Sequence, residues 1–288
     1  RSYEECAAAV PEAFGMSGST VSRRYIRASA RQLKRLCEGR LEGYDFVVLI
    51  LDGKTFGFDE MVIALGVTSD GRKIPLGFIQ TGAENERVCR EMLGGLLERG
   101  LRMGSGGLWV VEGAKGLRKA IYGVFGNKVL IQRCQWHKRE NVVSYLPKGI
   151  QAAFRQKLRS AYGKGTYEEV KTALKAIRAE LSVINESAAK SLDEGLEETL
   201  TVHRLGLHEA LRRSFTTTNM IESVMAQIGQ KTDKVDHWRN SSQKHRWIAA
   251  SLLFIEQKLN KVNGYRHLSY LRDALRRDLD IRKKSEAA

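Results

Sequence analysis

Three acids in this chain stand where residue type and position could do chemistry: Asp52, Glu112 and Glu222. Asp52 closes the run FVVLILD, residues 46–52, in which six of seven residues are apolar and four of those are β-branched or aromatic. Glu112 closes a shorter run, LWVV, and each of these two acids is followed at once by a glycine. Continuous apolar runs of this kind read as strands buried on both faces. A carboxylate at the end of such a strand is costly unless it is exposed at a sheet edge, paired, or bound to a cation. Asp-Gly is also an ordinary turn pair, so either acid alone reads equally as a strand-end turn. Glu222 falls in the first turn of a helical pattern over about 219–230, which Thr217 or Thr218 can cap. Three carboxylates brought to one point repel one another unless divalent cations neutralise them. Magnesium prefers hard oxygen ligands and keeps positions open for water and phosphate. Two such ions can activate a nucleophile and stabilise a leaving oxygen in phosphodiester chemistry.

The elements that must position these acids follow from the pattern along the chain. After the Asp52 strand, two apolar runs within residues 60–80 flank Ser69-Asp70-Gly71-Arg72, a hairpin signal. Three consecutive antiparallel strands result. Residues 84–99 read as an amphipathic helix weakened by Gly94 and Gly95, and the Gly-rich 100–107 as a loop. Then come the strand ending at Glu112, a helix over 115–125, and a strand over 128–133 that leads into Cys134-Gln135-Trp136-His137. The order predicts an α/β fold, a mixed sheet with helices on its faces. Two of the acids sit at strand ends, where α/β sheets place their sites.

Residues 138–213 are helical in pattern throughout, too long for a loop inside a compact domain, and read as an all-helical insertion. The expected division is therefore 1–44, helical; 45–137, first part of the core; 138–213, insertion; 214–262, second part of the core; 263–288, a basic helical tail. Within the first segment, an apolar pattern over residues 3–14, a break at Gly15-Met16-Ser17 and a second helix over 19–30 outline a helix-turn-helix. Arg23, Arg24 and Arg27 there are placed to meet phosphates or guanine edges, or to form a solvated basic face. The chain opens at Arg1, without Met, inside a helical pattern, which reads as a fragment whose natural N-terminus lies upstream.

The chain has 288 residues, 42% of them hydrophobic, and a net charge of +15. Such an excess concerns partners rather than fold, and nucleic acid leads among them. No strongly amphipathic basic helix points to a membrane surface, and no apolar run of about 18 residues points to a span. Four scattered cysteines without a Cys-x-x-Cys pair indicate neither a zinc ribbon nor a disulfide framework, and fit a reducing, cytosolic compartment. Cys134 and His137 form half of a zinc site without a second half at suitable spacing. Trp238 and Trp247 read as packing residues before stacking platforms, amid Lys231, Lys234, Arg239, Lys244 and Arg246, which could hold phosphates.

Several local sequences resemble the ribonuclease-H-like core of DDE transposases, and most closely the Mutator family with its bacterial insertion-sequence members. Leu51-Asp52-Gly53 is similar to the family's first-acid strand. Val110 to Leu117 (VVEGAKGL) is similar to its second-acid segment, and Gln132 to Asn141 (QRCQWHKREN) to its Q-R-C-x-x-H segment and following Asn. Thr217 to Glu222 (TTNMIE) is similar to its T-N-x-x-E segment with the last acid. Each motif alone is weak; four in order at compatible spacing are specific.

The resemblance implies cleavage at transposon ends and strand transfer into target DNA. It implies Asp52, Glu112 and Glu222 as catalytic residues holding two Mg2+, with Mn2+ able to substitute. Double-stranded DNA is the implied partner, at terminal inverted repeats and target, with a homodimer to bring two ends together in a bacterial, nucleoid-associated setting. Lys54, Arg133, His137, Asn219, Lys231 and Arg239 are expected to face DNA. A domesticated, non-catalytic DNA-binding protein is the alternative, and a nuclease without strand transfer a third reading. One departure favours the alternative. Where the family has Asp, this chain has Glu112, whose extra methylene moves the carboxylate by roughly 1–1.5 Å. Phosphoryl transfer is sensitive to about that displacement, which predicts slow cleavage.

Overall fold

The computed structural model of the chain describes residues 18–56, 59–81, 85–104, 106–232, 235 and 238–286, with the backbone alone described over 281–286. The expected first helix, residues 3–14, and its break lie outside these residues, as does Lys234. The second helix does not stop near Ala30 but runs on as α1, Gly18–Glu38. Leu33 and Leu36 on its inner side join the core, while Arg23, Arg24 and Arg27 are exposed.

Five strands form one sheet: β1 Phe46–Phe56, β2 Asp59–Thr68, β3 Lys73–Thr81, β4 Gly107–Val111 and β5 Val129–Arg133. Their spatial order is β3-β2-β1-β4-β5. The first three are antiparallel neighbours, with Gly71 (φ +88°) in the β2–β3 turn, and β1–β4 and β4–β5 run parallel. The sheet is therefore mixed, as the order of elements predicts. β1 does not end at Asp52, however. Gly53 to Phe56 continue the ladder with β2, from Gly53↔Val62 to Phe56↔Asp59. What ends there is the parallel side, because β4 stops at Val111 opposite Leu51.

The strand periodicity assigns faces. Val48 and Ile50 of β1, Leu108 and Val110 of β4, and Leu130 of β5 pack into one core, against α11 (Asn219–Thr232), α12 (Ser241–Glu256), α13 (Leu268–Glu286) and α1. Leu49 and Leu51, Trp109 and Val111, and Ile131 pack into a second core, against α2 (Glu86–Glu98) and α3 (Lys115–Phe125). A strand buried on both faces explains why these runs carry no polar alternation. Burying each such Leu, Ile or Val contributes about 1.5–3 kcal/mol before entropy is set against it. The segment expected as a basic tail is instead an integral element, since Leu268, Leu271, Leu275 and Leu279 of α13 are buried in the first core.

Between β5 and α11 the described chain is helical: α4 Gln135–Ser144, α5 Lys148–Tyr162, α6 Tyr167–Ile184, α7 Glu186–Asp193, then the short α8 Leu196–Thr199 and α9 Thr201–Arg204, and α10 His208–Phe215. Residues Val142 to Leu200 of these helices have an apolar cluster of their own, around Phe154, Leu158, Leu174 and Leu181. Thr166 and Glu169 close a reciprocal capping box at the start of α6.

Candidate active site

The same period of two that sorts the core aims the polar residues. Asp52 continues the row Val48–Ile50, Glu112 the row Leu108–Val110, and Cys134 the row Leu130–Gln132. All three rows face the layer that contains α11. Glu222 comes to the same place from that layer, in the first turn of α11. Asp52 is nearly fully buried, Glu112 and Glu222 are half-buried, and the first two lie on adjacent strands where the parallel pairing ends.

Asp52, Glu112 and His137 each offer one ligand atom to a cluster in which these atoms all lie within 4.8 Å of one another. His137 Nε2 is 3.8 Å from a Glu112 carboxylate oxygen. Glu222 is not in that trio but is joined to it through Thr218. The Thr218 hydroxyl donates to Glu222 Oε1 at 2.9 Å, lies 3.4 Å from His137 Nδ1, and also hydrogen-bonds Asp52. It has one proton to give, so it can serve only one of the two carboxylates at a time.

Burial, and next the Glu112 charge, push the Asp52 pKa up to about 7, against the lowering influence of His137 and Thr218. Burial alone would lower His137, but hydrogen bonding to Cys134 and the Asp52 and Glu112 charges outweigh it and raise the imidazole to about 9. Near neutral pH the site therefore holds an imidazolium beside crowded acids. A divalent cation would take over that neutralising role, and two carboxylates with an imidazole form a donor set suited to one.

The β5–α4 junction fixes this geometry. Cys134 N–H donates to Val111 O and Gln135 N–H to Thr216 O, at 2.8 and 2.9 Å. Cys134 Sγ accepts from Thr218 N–H at 3.4 Å. The turn before α11 is thus laced to the end of β5, which sets where Glu222 starts. Gly113, at φ +120°, is required where the chain leaves Glu112, because a Cβ there would lie 2.0 Å from Arg133 Nε.

Two expectations are corrected here. Arg133 does not face DNA: its side chain is buried and its guanidinium holds Glu194 Oε2 at 2.8 Å. Lys244 is likewise buried and paired with Asp59, out of reach of a phosphate. Asn219, Lys231 and Arg239 are exposed, though Lys231 Nζ sits 4.1 Å over the Phe254 ring. Lys54 Nζ donates to Met225 O at 3.5 Å. Trp238 and Trp247 pack edge to face, with centroids 6.3 Å apart.

The sequence offered Thr218 as a cap and motif residue, and Lys138 and Gln132 only as members of a motif, with no structural role for either. Lys138 is fully buried; its Nζ donates to Ser191 O at 2.6 Å and to the Glu194 carbonyl and carboxylate. Gln132 donates to Thr199 O at 2.8 Å and accepts from Val202 N–H at 2.9 Å. Gln132 ties the helical segment to the sheet, and Lys138 ties α4 to the end of α7. The available signal was the pair Gln132-Arg133 closing an otherwise apolar strand run.

A family model described as "Transposase, Mutator family" matches residues 14–260. The chain is 28% identical over 249 residues to the transposase for insertion sequence element ISRM5 of Rhizobium meliloti (strain 1021), covering 84% of this chain and 61% of that protein. It is 27% identical over 225 residues to the transposase for IS6120 of Mycolicibacterium smegmatis, covering 76% and 68%. It is 28% identical over 197 residues to the transposase for IS256 in transposon Tn4001 of Staphylococcus aureus, covering 66% and 48%. The chain thus spans roughly half to two thirds of the length of these relatives.

Proposed function

Because this chain belongs to the Mutator family of transposases, we propose that it carries the catalytic centre of a DDE-type enzyme that cleaves DNA at the ends of its element and joins the freed 3′-hydroxyl to target DNA. The observation that carries this reading is the gathering of Asp52, Glu112 and His137, with ligand atoms within 4.8 Å of one another, at one face of the sheet. A net charge of +15 supports DNA as the substrate. Two DNA ends must meet for transposition, so a homodimer is the expected working form.

Asp52 and Glu112, with Glu222 beside them, would hold two Mg2+, for which Mn2+ can substitute. When bound, such ions supply Lewis-acid activation of the nucleophile and charge stabilisation at the leaving oxygen. The protein's own groups have distinct tasks. Asp52, buried and reluctant to ionise, gains most from a cation. His137 offers a ring N–H beside Glu112, where charge on a phosphate oxygen can be held. Thr218 holds the Glu222 carboxylate in one orientation. Water is the first nucleophile and the 3′-hydroxyl the second, both by in-line attack without a covalent protein intermediate.

The test is cleavage and strand transfer of a labelled duplex carrying the element's terminal repeat. Activity should require a divalent cation and vanish in Asp52→Asn, while DNA binding persists. Full cleavage by Asp52→Asn would remove the acid cluster from the mechanism.

A further inference from the structure

Beside the acids lies a pocket of about 580 Å³, within the roughly 300–1,000 Å³ of small-ligand sites. Four helices supply its walls: Trp136 and Arg139 from α4, Arg159 from α5, Arg212 and Arg213 from α10, and Asn219 from the start of α11. None of its lining residues is an acid. Among the described residues, Arg159, Arg212 and Arg213 have no carboxylate partner, and only Arg139 is paired, with Glu140. A concave surface with four guanidinium groups, three of them without a carboxylate partner among the described residues, focuses positive potential. Trp136 is 42% exposed although it is one of the largest apolar side chains. The His137 ring meets it edge-on, with centroids 4.8 Å apart and planes at 81°, which fixes the indole and leaves area of it open.

We infer that this pocket receives a single nucleotide unpaired from the DNA, its base stacked on Trp136 and its phosphates held by Arg159, Arg212 and Arg213. The inference rests on the DNA-cleaving reading above and deepens it. An indole face can stack on a base only where that base has left its neighbours, and arginine is suited to bidentate phosphate contacts. The pocket is too small for a duplex and large enough for one nucleotide. Its position ties it to the chemistry: Trp136 precedes His137, and Asn219 lies one helical turn before Glu222. A nucleotide held there anchors the strand next to the phosphate facing the acids. Extrusion costs least where a base is already unpaired, so the pocket favours strand ends, bulges and distorted junctions.

The experiment uses the full chain and two short duplexes of one sequence, both with a distal fluorescein. In one a central 2-aminopurine is paired; in the other it is a single-nucleotide bulge. Anisotropy reads affinity, and 2-aminopurine emission reads stacking. The bulged duplex should bind more tightly, with quenched emission. Trp136→Ala should relieve the quench and reduce the preference for the bulge by roughly 5- to 150-fold, the range for one lost base–aromatic stack. Trp136→Phe should restore part of both. Arg159→Gln, on a different helix, should weaken bulge binding and lower its salt slope by about one counterion. Equal binding of both duplexes, with emission indifferent to Trp136→Ala and Arg159→Gln, would overturn the pocket and leave the DNA-cleaving reading standing. Failure to bind either duplex would overturn both.

Discussion

At the scale of single residues, the site is governed by how much charge a small volume can hold. Asp52 has a folded-state pKa near 7, above its ordinary 3.8, through burial and the neighbouring Glu112. For an acid raised in this way, metal-free stability is highest at low pH and falls as pH climbs from about 4 to 7. Asp52→Asn should therefore stabilise the metal-free protein at pH 8 by an amount on the order of a few kcal/mol, while abolishing metal-dependent cleavage. Thermal melts in chelator at pH 5 and 8 decide it: a variant no more stable than the parent at pH 8 contradicts the burial cost. In the parent, affinity for Mn2+ should rise with pH through 7, because the cation competes with the proton on Asp52. Glu112 poses a question of reach. It carries the charge of an Asp on a longer arm, and a misplacement of about 1 Å can cost on the order of 100-fold in rate. Glu112→Asp is expected to speed single-turnover cleavage in Mg2+ with DNA affinity unchanged, and Mn2+ should narrow the gap. Equal rates for the two chains in Mg2+ would show that the site tolerates either acid.

At the scale of elements, strands supply two acids and a helix the third, and the joints between them decide the geometry. The junction from β5 to α4 is the main joint, through Cys134, Gln135 and their bonds to Val111, Thr216 and Thr218. A second joint lies between α9 and α10, where His203 and His208 stack with centroids 3.7 Å apart. Burial, and next the His208 charge, lower His203 to about 4. For a histidine held below its ordinary value of 6.5, the stabilisation is complete above that pH and is lost as pH falls toward 4. The helical layer should thus loosen between pH 6.5 and 4, as two stacked rings cannot both be charged. Hydrogen exchange of α9 and α10 at pH 7 and 5 reads this directly, and His203→Gln should flatten the dependence. Protection in α9 and α10 that is the same at both values would contradict it.

At the scale of the molecule, charge and fold act separately. Net +15 concerns the approach of a polyanion, which on the proposed reading is DNA, whereas the acids occupy one small volume. DNA binding should fall steeply with salt, since each phosphate contact releases a counterion. It should survive simultaneous Asp52→Asn, Glu112→Gln and Glu222→Gln. Arg23, Arg24 and Arg27 lie exposed on α1, and changing all three to Ala should weaken binding across sequences. Filter binding between low and moderate salt measures both, and an affinity indifferent to salt would refute the electrostatic account.

Strand and helix identities are local properties, and the residues alone determined them. FVVLILD, short, rich in β-branched and aromatic residues and followed by Gly53, reads as a strand covered on both faces, and Ser69-Asp70-Gly71-Arg72 between two such runs reads as a hairpin turn. The family, too, was legible in four short motifs. Tertiary structure decided what depends on partners far along the chain. Whether β1 stops at Asp52 depends on where β4 ends beside it and on how far β2 runs back along it. Arg133 and Lys138 look like surface cations, but both turn inward because Glu194, more than fifty positions away, offers a carboxylate and a carbonyl. His137 joins the acids, and Thr218 bridges them, only because Cys134 is laced to the turn before α11. The basic pocket exists in no single segment: it is the gap left among four helices, and its shape follows from packing rather than from any local pattern.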